Sequence, residues 1–382
     1  MAEAVPLGKT GYELWLEREG IPVVEGYGLD SVTDLRLAPW ERMGGKGTYV
    51  RLAGMEGVTG MYVAEIPPGG ALNPEKHLFE EVIYVLQGRG ATEVWLDGNE
   101  KNKGMFEWAS GSLFSPPVNT WHRLVNGSRE PVVFMAVTNA PLVMDIYYNA
   151  DFVFNCDYNF LDRYDGKEDF FGQGTNRIVF KDGRVGWMTN FIVDVKTAIL
   201  DQNDVKVSNA QHTGFEIGGN TLVGHISDWP AGGYHKAHYH GGGATLTILR
   251  GKGYVLMWPK EAGIQPYQAG READVVTVNW QPGAVYSPPS GWFHQHFNTG
   301  SDPVRQLAIR LPSRLHPIGF DLAASRQHTV KDRNLTGVLL SVKEGGSLIE
   351  YENEDPEIRK RFEASLRGQG LKFDMPAAVS RS

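Results

Sequence analysis

An internal repeat limits what this chain can fold into more than any other feature. Phe106–His122 reads FEWASGSLFSPPVNTWH and Val278–His294 reads VNWQPGAVYSPPSGWFH; aligned without a gap, they share Trp, Gly, Ser-Pro-Pro and a final His. Asn126 and Asn298 follow at the same distance after each histidine. Upstream, PGGALNPEKH ending at His77 matches AGGYHKAHYH ending at His240, and Gly88 and Gly251 close the two segments. His77 and His240 are 163 residues apart, whereas His122 and His294 are 172 apart, so the loop between the two motifs is longer in the second copy. Self-similarity of this kind marks a duplicated domain. A chain of 382 residues has room for two domains of about 150 residues plus extensions.

Around the motifs the pattern is that of short strands. VAEI, EVIYVLQG, TEVWLDG and VVFMAVT precede TLVGHIS, TLTILRG, YVLMWP, VVTVNW and VRQLAIRL, each bounded by Gly, Pro or Asn. Glycine (46) and proline (21) are spread along the chain rather than gathered in one tract, which suits strands joined by tight turns. The class is all-β, two repeated sandwiches or barrels. Residues 1–45 read as an N-terminal arm with a short helix in GYELWLEREG, and 46–147 as the first domain. The aromatic and acidic stretch 148–209 is too apolar for a free linker and reads as a packed bridge. The second domain is expected at 210–312. The extension 313–382 is expected to carry a helix, because DPEIRKRFEASLRGQG has an Asp-Pro start and a Gly stop, and to end in disordered residues.

Composition removes several function classes. At 41% hydrophobic and 21% charged residues, with no apolar run near the roughly 20 residues that span a bilayer, no membrane segment is expected. The first residues lack a basic start followed by an apolar core, so they do not read as a secretory signal. Cys156 is the only cysteine, which excludes an intrachain disulfide and thiolate metal sites and fits a reducing cytoplasm. A formal charge of −8, with no Lys/Arg stripe, argues against nucleic acid as a partner. Jelly-roll edges and long terminal arms suit a homo-oligomer.

The spacing of the motifs resembles the two-part signature of the cupin superfamily, over roughly residues 46–147 and 210–312. The resemblance implies two tandem jelly-roll barrels, but it does not define a reaction. Five of the 11 histidines, His235, His238, His240, His294 and His296, lie in the motifs of the second copy. In a strand, residues two apart face the same side, so His238 and His240 can both point inward, and His294 enters from another strand. Three imidazoles suit a first-row divalent ion, Fe(2+) first and Mn, Ni, Cu or Zn as alternatives, rather than calcium or magnesium. The opposing reading is a set of satisfied core histidines at a dead site. The signature's glutamate is replaced by Ala244, which leaves open positions, more Lewis acidity and a preference for a substrate that chelates through two oxygens, at least one anionic.

His238-Tyr-His240-Gly-Gly-Gly-Ala244 and Trp292-Phe-His294-Gln-His296-Phe-Asn298 look like the matching segments of the gentisate and salicylate ring-cleaving dioxygenases. That resemblance implies ferrous iron, dioxygen and a small aromatic or enolic substrate. It also implies that His296 acts as a hydrogen bonder or proton shuttle, the alternative being a barrel-lining histidine. Two features depart from that family: its iron is in the first barrel, and Leu246 stands where it places a carboxylate-binding arginine. Arg250, Arg305 and Arg310 are the other candidates for that charge. His225 and His235 are candidate pocket residues, and Trp258, Trp292 and Phe293 a candidate aromatic wall.

In the first copy the corresponding set is Glu75, His77, Glu81 and His122, which is either a two-histidine, two-carboxylate metal site or, with Glu75 facing solvent, a vestigial one. The first barrel is expected to support and the second to react. The alternatives to a dioxygenase are an oxygen-independent metal-dependent isomerase, decarboxylase or hydrolase, and a non-enzymatic ligand-binding bicupin.

Overall fold

The computed structural model describes residues 8–172, 174–180, 185–202, 206–318 and 340–373. The chain divides into two compact units, one built from 1–24, 35–51 and 57–173, the other from 25–34, 52–56 and 174–382. Each is a pair of β-sheets, so the duplication read from the motifs is a duplication of a two-sheet, jelly-roll domain. Among the described residues no helix is long and apolar enough to cross a membrane.

In the first unit, strands Gly45–Leu52, Gly60–Ile66, Val132–Thr138, Glu81–Gln87 and Leu113–Phe114 lie side by side in that order, and Trp121–Val125, Arg89–Trp95 and Gly104–Ala109 form the second sheet. The N-terminal helix Gly11–Glu19 forms where the sequence predicts it. Thr10 accepts from the Glu13 backbone N–H while the Glu13 carboxylate accepts from that of Thr10, a reciprocal cap that satisfies two otherwise orphaned donors. Tyr12, Trp15 and Leu16 bury the inner face of this helix.

In the second unit the large sheet runs Asn176–Val179, Val185–Thr189, Gln211–Ile217, Val223–Trp229, Val304–Arg310, Thr245–Arg250, Val285–Tyr286 and Gly28–Leu29. The small sheet is Val276–Trp280, Gly253–Pro259 and Trp292–Asn298. The expected N-terminal arm thus contributes an edge strand to the second unit. Gly28 is required there, because a Cβ would lie 2.7 Å from Val278 Cγ1. Between the sheets, Val255, Met257 and Trp280 from the small one meet Leu246, Ile248, Tyr286, Val304 and Ala308 from the large one.

Directly opposed residues of antiparallel strands share a face, so the pairings define what looks into this barrel. One row reads Gly214, His225, Ala308, Leu246, Tyr286; the next on one side reads Glu216, Val223, Arg310, and on the other His212, Ser227, Gln306, Ile248. Arg305, on the opposite face of the same strand, is buried and holds Asp228 through two bonds of 2.7 and 2.6 Å. Outside the small sheet lies the helix Pro356–Gly368, started by the Asp355 side chain accepting from Glu357 N–H. Its Ile358, Phe362 and Leu366, at helical spacing, bury against Trp258, Phe293 and Phe297.

Candidate metal centres

In the second unit His238 and His294 face each other across an antiparallel bridge, with His238 N–H to His294 O at 3.1 Å and His294 N–H to His238 O at 2.9 Å. His240 lies two residues on. One ring nitrogen from each of His238, His240 and His294 lies within 4.8 Å of the others, and among the described residues no carboxylate or thiol joins them. The nitrogen is Nε2 in each case, because every Nδ1 is committed to a backbone carbonyl: Lys236 O at 3.1 Å, Gly241 O at 2.7 Å and Trp292 O at 3.2 Å. A carbonyl only accepts, so each Nδ1 carries the proton and each Nε2 presents a lone pair inward. Burial pushes His238 and His294 well below the ordinary histidine range, and His240 down to about 4, with the Lys206 ammonium contributing at all three. The neutral form that a cation needs is therefore the form present at neutral pH.

Lys206 gave no signal in the sequence. Its Nζ lies 2.8 Å from His238 Nε2, so an ammonium donates to a lone pair of the triad. His296 is built the opposite way from the triad. Gln306 Nε2 donates to the Tyr286 hydroxyl, and that hydroxyl, 2.8 Å from His296 Nδ1, is left to donate to it. His296 then carries its proton on Nε2 and is a donor rather than a ligand. The Tyr286→Phe variant is expected to lower kcat by about 10- to 100-fold while leaving KM and metal content unchanged, the usual scale for losing an orienting hydrogen bond. Steady-state kinetics with metal analysis checks this; an unchanged kcat removes the role assigned to His296.

The remaining sequence candidates separate by face. His235 is buried between Trp229 and His296, with ring centroids at 4.4 and 5.2 Å. His225 and Arg310 lie on the inner rows, whereas Arg305 and Arg250 both engage Asp228. Trp292 shares the face of His294. Trp258 and Phe293 do not: they pack beneath the C-terminal helix, because Phe293 alternates with His294 and points out of the barrel. The expected aromatic wall is reduced to Trp292.

The first unit repeats the architecture with different chemistry. His77 Nδ1 is bonded to Phe79 O at 2.7 Å and His122 Nδ1 to Thr120 O at 3.0 Å, so both Nε2 atoms again carry lone pairs. Glu81 Oε1 sits 3.1 Å from His122 Nε2 and 3.8 Å from His77 Nε2, and Glu75 Oε1 lies 3.9 Å from His122 Nε2. Acceptors thus face acceptors, and His77 Nε2, His122 Nε2 and Glu81 Oε1 are buried without a hydrogen-bond partner. A divalent cation is the species that would satisfy all of them at once. Glu75 does not face solvent. Its other oxygen is paired with Arg42, which also binds Glu19 at 2.7 Å and lies 5.1 Å over the Trp40 ring. Tyr62 donates to the second oxygen of Glu81 at 2.7 Å. Two carboxylates and one guanidinium leave this pocket anionic, while the second pocket is cationic.

The model of the cupin domain matches residues 62–138, inside the first unit. No curated protein sequence matches the chain. Solved structures similar to it include Bacillus subtilis oxalate decarboxylase, studied for its Mn(II) centres, at 14% identity over 76% of this chain and 78% of that one, with a TM-score of 0.47. Two point mutants of the same enzyme match at 14% identity, one over 81% and 85% of the two chains with a TM-score of 0.48, the other over 82% and 87% with 0.47.

Proposed function

We propose that the protein is a metal-dependent cupin enzyme whose second barrel converts a small, anionic, oxygen-chelating substrate without consuming dioxygen, by decarboxylation or isomerisation. The observation that carries this reading is the cationic pocket: three Nε2 lone pairs converge without a carboxylate, and an ammonium lies against them. His238, His240 and His294 would hold a first-row divalent ion, manganese or iron foremost, and the first-barrel set Glu75, His77, Glu81 and His122 would hold a second, resident one. The ion bound by the triad supplies Lewis acidity toward substrate oxygens.

The chain's own residues supply binding and protons. Lys206 pairs with the anionic substrate once it leaves His238. His296, held as an Nε2–H donor by Tyr286, faces the same interior and hydrogen-bonds negative charge as it develops on substrate oxygen, while the Lys206 ammonium is the acid that delivers a proton to carbon. In a decarboxylation the C–C bond breaks, carbon dioxide leaves, and the electron pair left on carbon takes that proton. A protonated acid, Lys206, and a hydrogen-bond donor, His296, beside the triad suit this requirement. Oxygenative ring cleavage needs no net proton from the protein. The dioxygenase reading is the second one, favoured by the coordination positions that Ala244 leaves open.

The separating experiment is turnover of metal-loaded protein on a panel of 2-oxo, 3-oxo and hydroxy acids under strict anaerobiosis, followed by NMR. Product without oxygen supports the proposal; an absolute oxygen requirement with matching uptake overturns it in favour of the dioxygenase. Lys206→Met is expected to bind the second-barrel metal on the order of tenfold more tightly, through ~1.4 kcal/mol of relieved repulsion, and yet to turn over more slowly. Metal titration and initial rates check the two halves of that statement.

A further inference from the structure

The two barrels are each other's control. Strands Gly60–Ile66 and Val132–Thr138 of the first correspond to Val223–Trp229 and Val304–Arg310 of the second, with the same motif offsets. Glu81 pairs with Thr138 in the first barrel. In the second, Thr245 pairs with Ile309, which brings Ala244 to the level of Arg310 one step further along. A carboxylate facing a threonine has become a methyl group facing an arginine.

The space changes with the charge. In the first barrel Tyr49 pairs with Tyr62, and both are buried, filling the interior beside Glu81. The corresponding pair in the second barrel is Gly214 and His225. Among the described residues, a Cβ built on Gly214 would meet nothing nearer than the Gly224 carbonyl oxygen at 3.7 Å, which leaves room on the inner face at this point. Arg310 is on that face in the adjacent row, half-buried at the strand end.

We propose that a carboxylate of the substrate occupies, in the second barrel, the place that the Glu81 side chain fills in the first, bridging the histidine triad to Arg310. This rests on the metal reading of the triad and narrows it: the substrate is a carboxylic acid whose chelating oxygens include that carboxylate, and chelators without one are poor ligands. Arg310 is a substrate-binding residue, and the Gly214–His225 floor provides the room. A guanidinium matches a carboxylate in a planar, two-bond geometry that an ammonium cannot reproduce, so Arg310→Lys should restore binding only in part.

The test loads the full-length protein with Co(II) and follows its visible spectrum while titrating pyruvate, a chelator with a carboxylate, and acetylacetone, one without. The signal is the part that His294→Ala abolishes. In Arg310→Met, pyruvate affinity should fall at least about tenfold while acetylacetone affinity stays within about twofold. Ala244→Glu should restore the internal carboxylate, retain the metal and exclude pyruvate. Pyruvate binding unchanged in Arg310→Met, pyruvate binding retained in Ala244→Glu, or wild-type protein that takes acetylacetone and not pyruvate overturns the proposal while leaving the metal reading intact. A cobalt content that His294→Ala does not alter overturns the metal reading itself.

Discussion

Replacing His294 with alanine is expected to release one metal equivalent per chain and to lower turnover on the order of a thousandfold or more, since the Lewis acid is lost and not merely weakened. Among the described residues the triad has no fourth side-chain ligand to compensate. His238 and His240 offer two lone pairs, and one of them already accepts from Lys206. In the first barrel, His122→Ala removes one donor of four, and the remaining Glu75, His77 and Glu81 keep two carboxylates near the ion. Its expected effect is weaker metal retention with a much smaller loss of turnover. Metal analysis paired with kinetics of the two variants checks the asymmetry; equal losses of activity contradict the division of labour between the barrels.

The second large effect concerns stability. Asp228→Ala should destabilise the second barrel by about 3–5 kcal/mol, the scale for removing one partner of a buried ion pair. Arg305 is nearly inaccessible, and its Nε and Nη2 both bond Asp228, while Nη1 donates to the carbonyls of Val195 and Lys196 at 3.3 and 2.7 Å. Without the carboxylate, the guanidinium is buried with its charge uncompensated. Combining Asp228→Ala with Arg305→Met should recover much of the loss, because the cost lies in the stranded charge and not in the missing attraction. Denaturant unfolding of the single and double variants measures both; a single variant within 1 kcal/mol of wild type would contradict the account.

Much of the architecture is legible in the sequence because the motif spacing and the strand alternation are local signals. The same alternation places His238 with His240 and His294 with His296. It also assigned Phe293 to the opposite face from His294, and ranking it with the aromatic wall set that parity aside. What was not legible depends on strand register and on loops. Lys206 lies in a stretch with no periodicity, and only folding brings it to His238. The Gln306–Tyr286–His296 chain joins three strands, and each link needs the pairing to be known. Glu75 could be read as inward or outward from PEKH alone; Arg42, remote in sequence, and the bridge to His122 turn it inward. Arg310 was one arginine among three until the register separated it from Arg250 and Arg305.

The central claim is that the chain holds two metal ions in pockets of opposite charge, and that the one without a carboxylate does the chemistry. Its most direct test is metal analysis of anaerobically purified protein, wild type beside His294→Ala and His122→Ala, with activity measured on the same samples. The expected result is two equivalents in wild type, one in His294→Ala, between one and two in His122→Ala, and activity that follows the His294 equivalent. Wild-type protein that binds no metal at the triad, or activity that follows the His122 equivalent, would contradict it.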